Sequence, residues 1–199
     1  MISFDGMKAE AQGTGAYPML PAGAYIAEIK AVKIDGDAPD QSLILRIDIT
    51  EGEYKDYFSK RYSAESANKD SRFPAKYKGD YRLRIPHPQS SSKYPDSDKR
   101  RFNDAVYRIE KSNPDYHFDG EEKRLVGKKV GINMQLNWFN DKEYTKIGRL
   151  EIVDDIRGGL VKAMNPGKPR FSDDYIGTQN AGGGAGSAFT PVEDVEIPF

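Results

Sequence analysis

The chain has 199 residues, of which 37% are hydrophobic and 31% charged, so it supplies one modest core under a heavily charged surface rather than two full domains. With no cysteine and only His87 and His117, it excludes disulfide and thiol chemistry and leaves a zinc site without its usual ligands. The net charge of −1 is unevenly spread: residues 171–199 carry −5 with no Lys or Arg, which leaves +4 on residues 1–170.

Residues 1–20, rich in Gly and Ala, read as a flexible N-terminal arm ending near Leu20-Pro21-Ala22-Gly23. Residues 24–34 read as a strand whose two faces are both apolar, with Tyr25, Ala27, Ile29 and Ala31 on one side and Ile26, Val32 and Ile34 on the other, which suits a bulged or twisted strand. After the turn residues Asp35-Gly36-Asp37-Ala38-Pro39-Asp40, residues 42–50 show the clearest period of two, with Leu43, Leu45, Ile47 and Ile49 inward and Arg46 and Asp48 outward. A further strand is expected through Tyr57, Phe58 and Tyr62, and a short one where Tyr81, Leu83 and Ile85 alternate with Arg82 and Arg84. A single amphipathic helix is expected from about 98 to 112, capped by Asp96 or Ser97, with Phe102, Ala105, Val106 and Ile109 on its apolar face. Gly127 to Phe139 and Glu143 to Val153 read as a hairpin; Val130, Ile132, Met134, Leu136 and Trp138 face the core, while Asn133, Gln135, Asn137 and Phe139 face outward.

This list is mainly β, and its order suits an OB-fold: a five-stranded Greek-key barrel with one inserted amphipathic helix, here followed by a flexible C-terminal tail. The expected organisation is an arm (1–20), an OB-fold domain (21–162), a Gly-rich linker (163–190) containing Gly182 to Ser187, and an acidic tip (191–199).

Residues 60–84 hold eight cations against Glu65, Asp70 and Asp80, interleaved with aromatic rings. Cations neutralise phosphates and aromatic faces stack bases, so Tyr57, Lys60, Arg61, Arg72, Phe73, Lys76, Tyr77, Lys78, Arg82 and Arg84 are the candidate DNA-binding residues, joined by Phe139. The plain alternative is that Phe58, Tyr62 and Tyr81 are core and the cations solvate a loop. Trp138 reads as core rather than as a stacking platform.

The last residues, Glu193-Asp194-Val195-Glu196-Ile197-Pro198-Phe199, resemble the acidic tip of bacterial single-stranded DNA-binding proteins, which end in acidic residues followed by Asp, Ile or Leu, Pro and Phe. Glu196 stands where that family usually has Asp, and Val195 interrupts the acidic run. The resemblance implies a docking peptide in which Glu193, Asp194, Glu196, Ile197, Pro198 and Phe199 bind host or phage replication and recombination proteins. The body is similar to a group of phage and prophage proteins regarded as single-stranded DNA-binding. Leu20-Pro21-Ala22-Gly23-Ala24-Tyr25, Glu51-Gly52-Glu53-Tyr54-Lys55, Glu110 to Tyr116 and Leu125 to Gly131 carry that likeness across roughly residues 16–162.

The acidic groups Asp35/Asp37/Asp40, Glu121/Glu122 and Asp154/Asp155 read as turn and surface residues, and no Gly-rich phosphate loop with Lys is present. The expectation is a non-enzymatic protein without cofactor or metal that binds and protects single-stranded DNA with little sequence preference in phage replication or recombination. An adaptor of the same fold with weak DNA binding, a metal-dependent nuclease and a structural virion protein are the alternatives; a homo-oligomer is left open. No apolar run reaches the roughly 18 residues of a bilayer span, and Met1-Ile2-Ser3-Phe4-Asp5 lacks a signal-peptide pattern, so the host cytoplasm is expected and a membrane partner is not.

Overall fold

Apolar alternation along five segments produces a single antiparallel sheet. The structure, a computed structural model, describes residues 17–68, 74–139 and 142–167. Strands β1 (Gly23–Asp35), β2 (Ser42–Ile49), β3 (Asp80–Arg84), β4 (Lys129–Phe139) and β5 (Lys142–Glu151) lie in the order β3-β2-β1-β4-β5. Helices α1 (Tyr57–Ala67), α2 (Pro95–Ser112) and α3 (Val153–Arg157) and a 3-10 turn (Glu122–Leu125) accompany the sheet among the described residues. The protein is mainly β, and no helix among the described residues is long and apolar enough to cross a membrane.

The two-faced pattern of β1 has a structural cause. Its first half pairs with β4 from Gly23 to Glu28 and its length from Ala27 to Asp35 pairs with β2, with a bulge between Ile29 and Ala31. The bulge shifts the side-chain period, so Val32 and Ile34 pack against the same core as Ala27 and Ile29, while Ile26 is buried on the other face. On β2 the expected face, Leu43, Leu45, Ile47 and Ile49, is fully inside. The core continues through Leu83, Leu125, Ile132, Met134 and Leu150 and is completed by Ala105 and Ile109 of α2, which packs on β3, β4 and β5.

Several expectations are corrected. Residues 57–67 form helix α1 instead of a strand, and the single expected helix becomes three. Helix α2 begins at Pro95, where a missing N–H costs nothing in a first turn, and Asp96 and Asp98 there favour the positive end of the helix dipole. Ser97 and Asp96 are thus inside the helix, not its cap. Tyr17 to Leu20 belong to the body rather than to a mobile arm: Leu20 is wholly buried, and its carbonyl accepts a hydrogen bond from Thr145 Oγ1 at 2.7 Å. At the other end the packed body runs past residue 162. Asn133 Nδ2 donates to the Lys162 carbonyl, Gln135 Nε2 to the Asn165 carbonyl, and the Gly167 N–H to the Leu136 carbonyl.

Asp48 and Asn133, expected outside, are both buried. Asp48 explains why α1 forms. The residue before the helix, Asp56, is left-handed (φ 60°) and gives no side-chain cap. Instead Asp48 reaches over from β2: Oδ1 accepts from the Phe58 N–H at 3.0 Å and Oδ2 from the Ser59 N–H at 3.0 Å, while Oδ1 also accepts from its own neighbour, Ile49 N–H, at 2.9 Å. A buried carboxylate thereby satisfies the orphan amides of a helix start. Asn133 turns inward at a bulge between itself and Met134, and its amide donates to Glu151 Oε1 at 3.0 Å. Glu151 also accepts from Arg149 Nε at 2.6 Å and from Arg108 Nη1 at 2.5 Å, which ties α2 to the sheet.

Gly79 lets β3 approach β2 and α1. Its carbonyl accepts from the Ile47 N–H at 2.9 Å, and a Cβ there would lie 2.3 Å from the Ile47 carbonyl oxygen and 2.8 Å from the Phe58 ring. Backbone cannot yield as a side-chain tip can. Gly79→Ala is expected to cost about 2–3 kcal/mol by overpacking, read as a lowered urea midpoint at constant slope; a midpoint equal to wild type contradicts the close approach.

Candidate nucleic-acid interface

The two edge strands of the sheet, β3 and β5, line one cavity together. In a flat five-stranded sheet such edges lie about 19 Å apart, yet Tyr81, Arg82 and Arg84 of β3 and Lys146, Ile147 and Gly148 of β5 border the same space of about 590 Å³. The sheet is therefore curled. Arg101 and Asp98 of α2 form one wall, and Lys78, just before β3, and Lys146 also border a second cavity of about 450 Å³. That second space lies at the tip of the β4–β5 hairpin and is lined by Arg61 of α1, Phe139, Lys142 and Tyr144. The shared lysines make one groove of the two.

The charge of this groove depends on which cations already hold a carboxylate. Arg46, beside it, grips Asp80 with two hydrogen bonds at 3.0 and 3.2 Å, and that pairing raises the Arg46 pKa. Arg82 donates to Asp35 at 2.7 Å, which holds the Asp35 carboxyl below its ordinary range. Arg61 pairs with Glu65 at 2.7 Å, and Arg84 lies 3.6 Å from Asp40, whose carboxyl is held low chiefly by Ser91 and Ser90. Lys78, Arg101, Lys142 and Lys146 make no ion pair among the described residues. Arg101 is held by an aromatic ring, its guanidinium 5.2 Å from the Tyr81 centroid and Nε donating to the Tyr81 hydroxyl at 3.4 Å.

Of the residues expected from sequence to bind DNA, Arg61, Lys78, Arg82, Arg84 and Phe139 line the groove, and Phe139 is 58% exposed. Tyr57 does not. Its ring is 4% exposed and packs edge-on against Tyr17, Tyr54 and Phe58, and its hydroxyl accepts from the Leu20 N–H and donates to the Pro18 carbonyl, so it offers no face to a base. Tyr77 is half-buried between Phe58 and Tyr62 and under the Arg46 guanidinium, 4.7 Å from its centroid. Its hydroxyl donates to the Ile47 carbonyl at 3.1 Å, and burial pushes its pKa up to about 12. Tyr77 is thus a strut for Arg46. Lys60 and Lys76 are exposed, Lys60 bonding the Lys55 carbonyl, but neither lines the groove. Phe58 and Tyr81 are core, while Leu136 and Trp138 are half-buried. Arg72, Phe73 and the tip residues Glu193 to Phe199 lie outside the described residues.

Four groove residues escaped the sequence reading: Arg101, Lys142, Tyr144 and Lys146. The last three occupy alternate positions of β5, a Lys-x-Tyr-x-Lys pattern that places cation, ring and cation on one strand face. That signal was available. Arg101 has no comparable one, because a cation on an exposed helix face reads as solvated. In comparison with known proteins, the chain matches no protein-family model and no curated protein sequence.

Proposed function

We propose that this chain is an OB-fold protein that binds single-stranded DNA with little sequence preference, in phage replication or recombination, and recruits partner proteins through its acidic C-terminal tip. The observation that carries the reading is the groove between β3 and β5: four cations without carboxylate partners among the described residues and two exposed rings, Phe139 and Tyr144, along one open channel. A basic channel with aromatic platforms suits a flexible single strand, whose phosphates and unpaired bases are both accessible. The strand order supports the fold assignment, since a five-stranded Greek-key barrel opened between its third and fifth strands has the order β3-β2-β1-β4-β5, with a helix between the third and fourth strands.

Gel-shift titration of the full chain with oligo-dT and with a duplex of equal length tests the reading. Oligo-dT is expected to bind and the duplex to bind more weakly; absence of any oligo-dT complex at low salt rejects it. The recruiting role of the tip rests on its residues alone. Phe199→Ala keeps every charge while removing the apolar anchor, so DNA affinity is expected to stay within twofold of wild type while capture of replication proteins from host lysate is lost. Unchanged capture removes the tip from the proposal.

A further inference from the structure

We infer that the groove is divided: the seam between β3 and β5 is a phosphate channel that holds a run of phosphates without reading bases, and stacking is confined to the hairpin tip. The inference rests on the nucleic-acid reading above and adds to it a division of labour.

The seam's inventory is one-sided. It has cations in Lys78, Arg101 and Lys146, with Arg82 and Arg84 behind them, against only Asp80 and Asp98. Asp80 is gripped by Arg46, and Asp98 accepts the Ser92 hydroxyl. Its single aromatic residue, Tyr81, is 4% exposed and lies under the Arg101 guanidinium, so no ring face is open to a base. Of the neutral polar groups there, Ser42 is buried, and the Gln135 amide spends an N–H on the Asn165 carbonyl at 2.8 Å. What the seam offers is a row of unpaired positive charge. Charge-assisted hydrogen bonds from Lys and Arg to phosphate oxygens are the interaction it is built to make.

The hairpin tip adds open rings to the cations Arg61, Lys78, Lys142 and Lys146 and the carboxylate of Glu143. Phe139 and Tyr144 are 58% and 39% exposed, flanked by Lys142 and Lys146. A strand entering from the tip therefore stacks its bases there and passes on as a backbone through the seam. Base identity and even base presence are immaterial to the second part.

The test compares three probes on the full chain by fluorescence anisotropy: labelled oligo-dT, an abasic strand of equal length, and inorganic polyphosphate as competitor. Two double variants separate the regions, Arg101→Ala with Arg84→Ala in the seam and Phe139→Ala with Tyr144→Ala at the tip. The seam variant is expected to lose abasic and polyphosphate binding by on the order of tenfold per cation removed. The tip variant is expected to weaken oligo-dT by roughly 10- to 100-fold while leaving abasic and polyphosphate binding within twofold. Arg101→Gln alone, on an exposed side chain that lines only the seam, carries the same expectation.

If oligo-dT binding depends on the tip but neither abasic nor polyphosphate binding responds to the seam variants, the channel is wrong and the nucleic-acid reading stands. If polyphosphate binds through the seam and neither oligonucleotide binds, the channel stands and the nucleic-acid reading falls. A wild-type protein that does not bind polyphosphate overturns the channel.

Discussion

Asp48→Ala is expected to lower folding stability by about 4 kcal/mol, because it strips the acceptor from three buried or partly buried amides, each worth roughly 1–3 kcal/mol when orphaned. The Phe58 and Ser59 amides lie in the first turn of α1, and no side chain next to the helix replaces the lost cap. Ile49, the third, sits in the core strand β2. At this chain length about 2–4 °C is lost per kcal/mol, so the thermal midpoint should fall by on the order of 10 °C. Asp48→Asn retains one acceptor oxygen and is expected to cost about half as much. A cap substitution at Asp56, which points no side chain at the helix, should change stability by under about 0.5 kcal/mol. If Asp48→Ala melts within a degree of wild type, the carboxylate does not hold α1.

The second large effect is on binding. Five cations in the groove are unpaired or loosely paired with carboxylates among the described residues: Lys78, Arg101, Lys142 and Lys146 with no ion pair, and Arg84 at 3.6 Å from Asp40. Each phosphate contacted on a single strand contributes about −0.7 to the slope of log affinity against log salt, so a slope of roughly −3.5 is expected. Raising salt fourfold, from about 50 to about 200 mM, should then weaken oligo-dT binding roughly 100-fold. Removing Lys78 and Lys146 together should bring the slope to about −2.1. Arg82→Ala provides the contrast. Its charge is already matched by Asp35 at 2.7 Å, so a new contact to phosphate gains little beyond the one surrendered, and the slope should hardly change. A flat salt response sinks the electrostatic reading; an Arg82→Ala effect equal to that of Lys146→Ala shows that ion pairing does not sort the cations.

Both predictions turn on pairings that no local pattern reveals. The period of two in β2, the two-faced β1 with its bulge, the β4–β5 hairpin and the apolar face of α2 were all legible, because each is carried by residues two to four apart in the chain. So was Phe139, which shares a strand face with Gln135 and Asn137 beyond the bulge at Asn133. Helix α1 was not. Tyr57 and Phe58 are adjacent rings in a polar stretch, which suits a strand as well as a helix, and the group that selects the helix is Asp48 on a different element. Asp48 itself reads as an outward residue, since its alternation with Ile47 and Ile49 is perfect and its burial is justified only by amides that the fold brings to it.

The sequence by itself determined the five strands of the sheet, helix α2, the mainly β class and the segregation of charge along the chain, because those follow from hydrophobic periodicity and composition. Only the tertiary structure decided which cations remain uncompensated. Arg82 finds Asp35 and Arg46 finds Asp80 across strands, whereas Lys78 and Lys146 border the same seam with no ion pair among the described residues. A Coulomb interaction is set by distance in space, and chain separation does not specify that distance until the sheet has curled and its edges face each other.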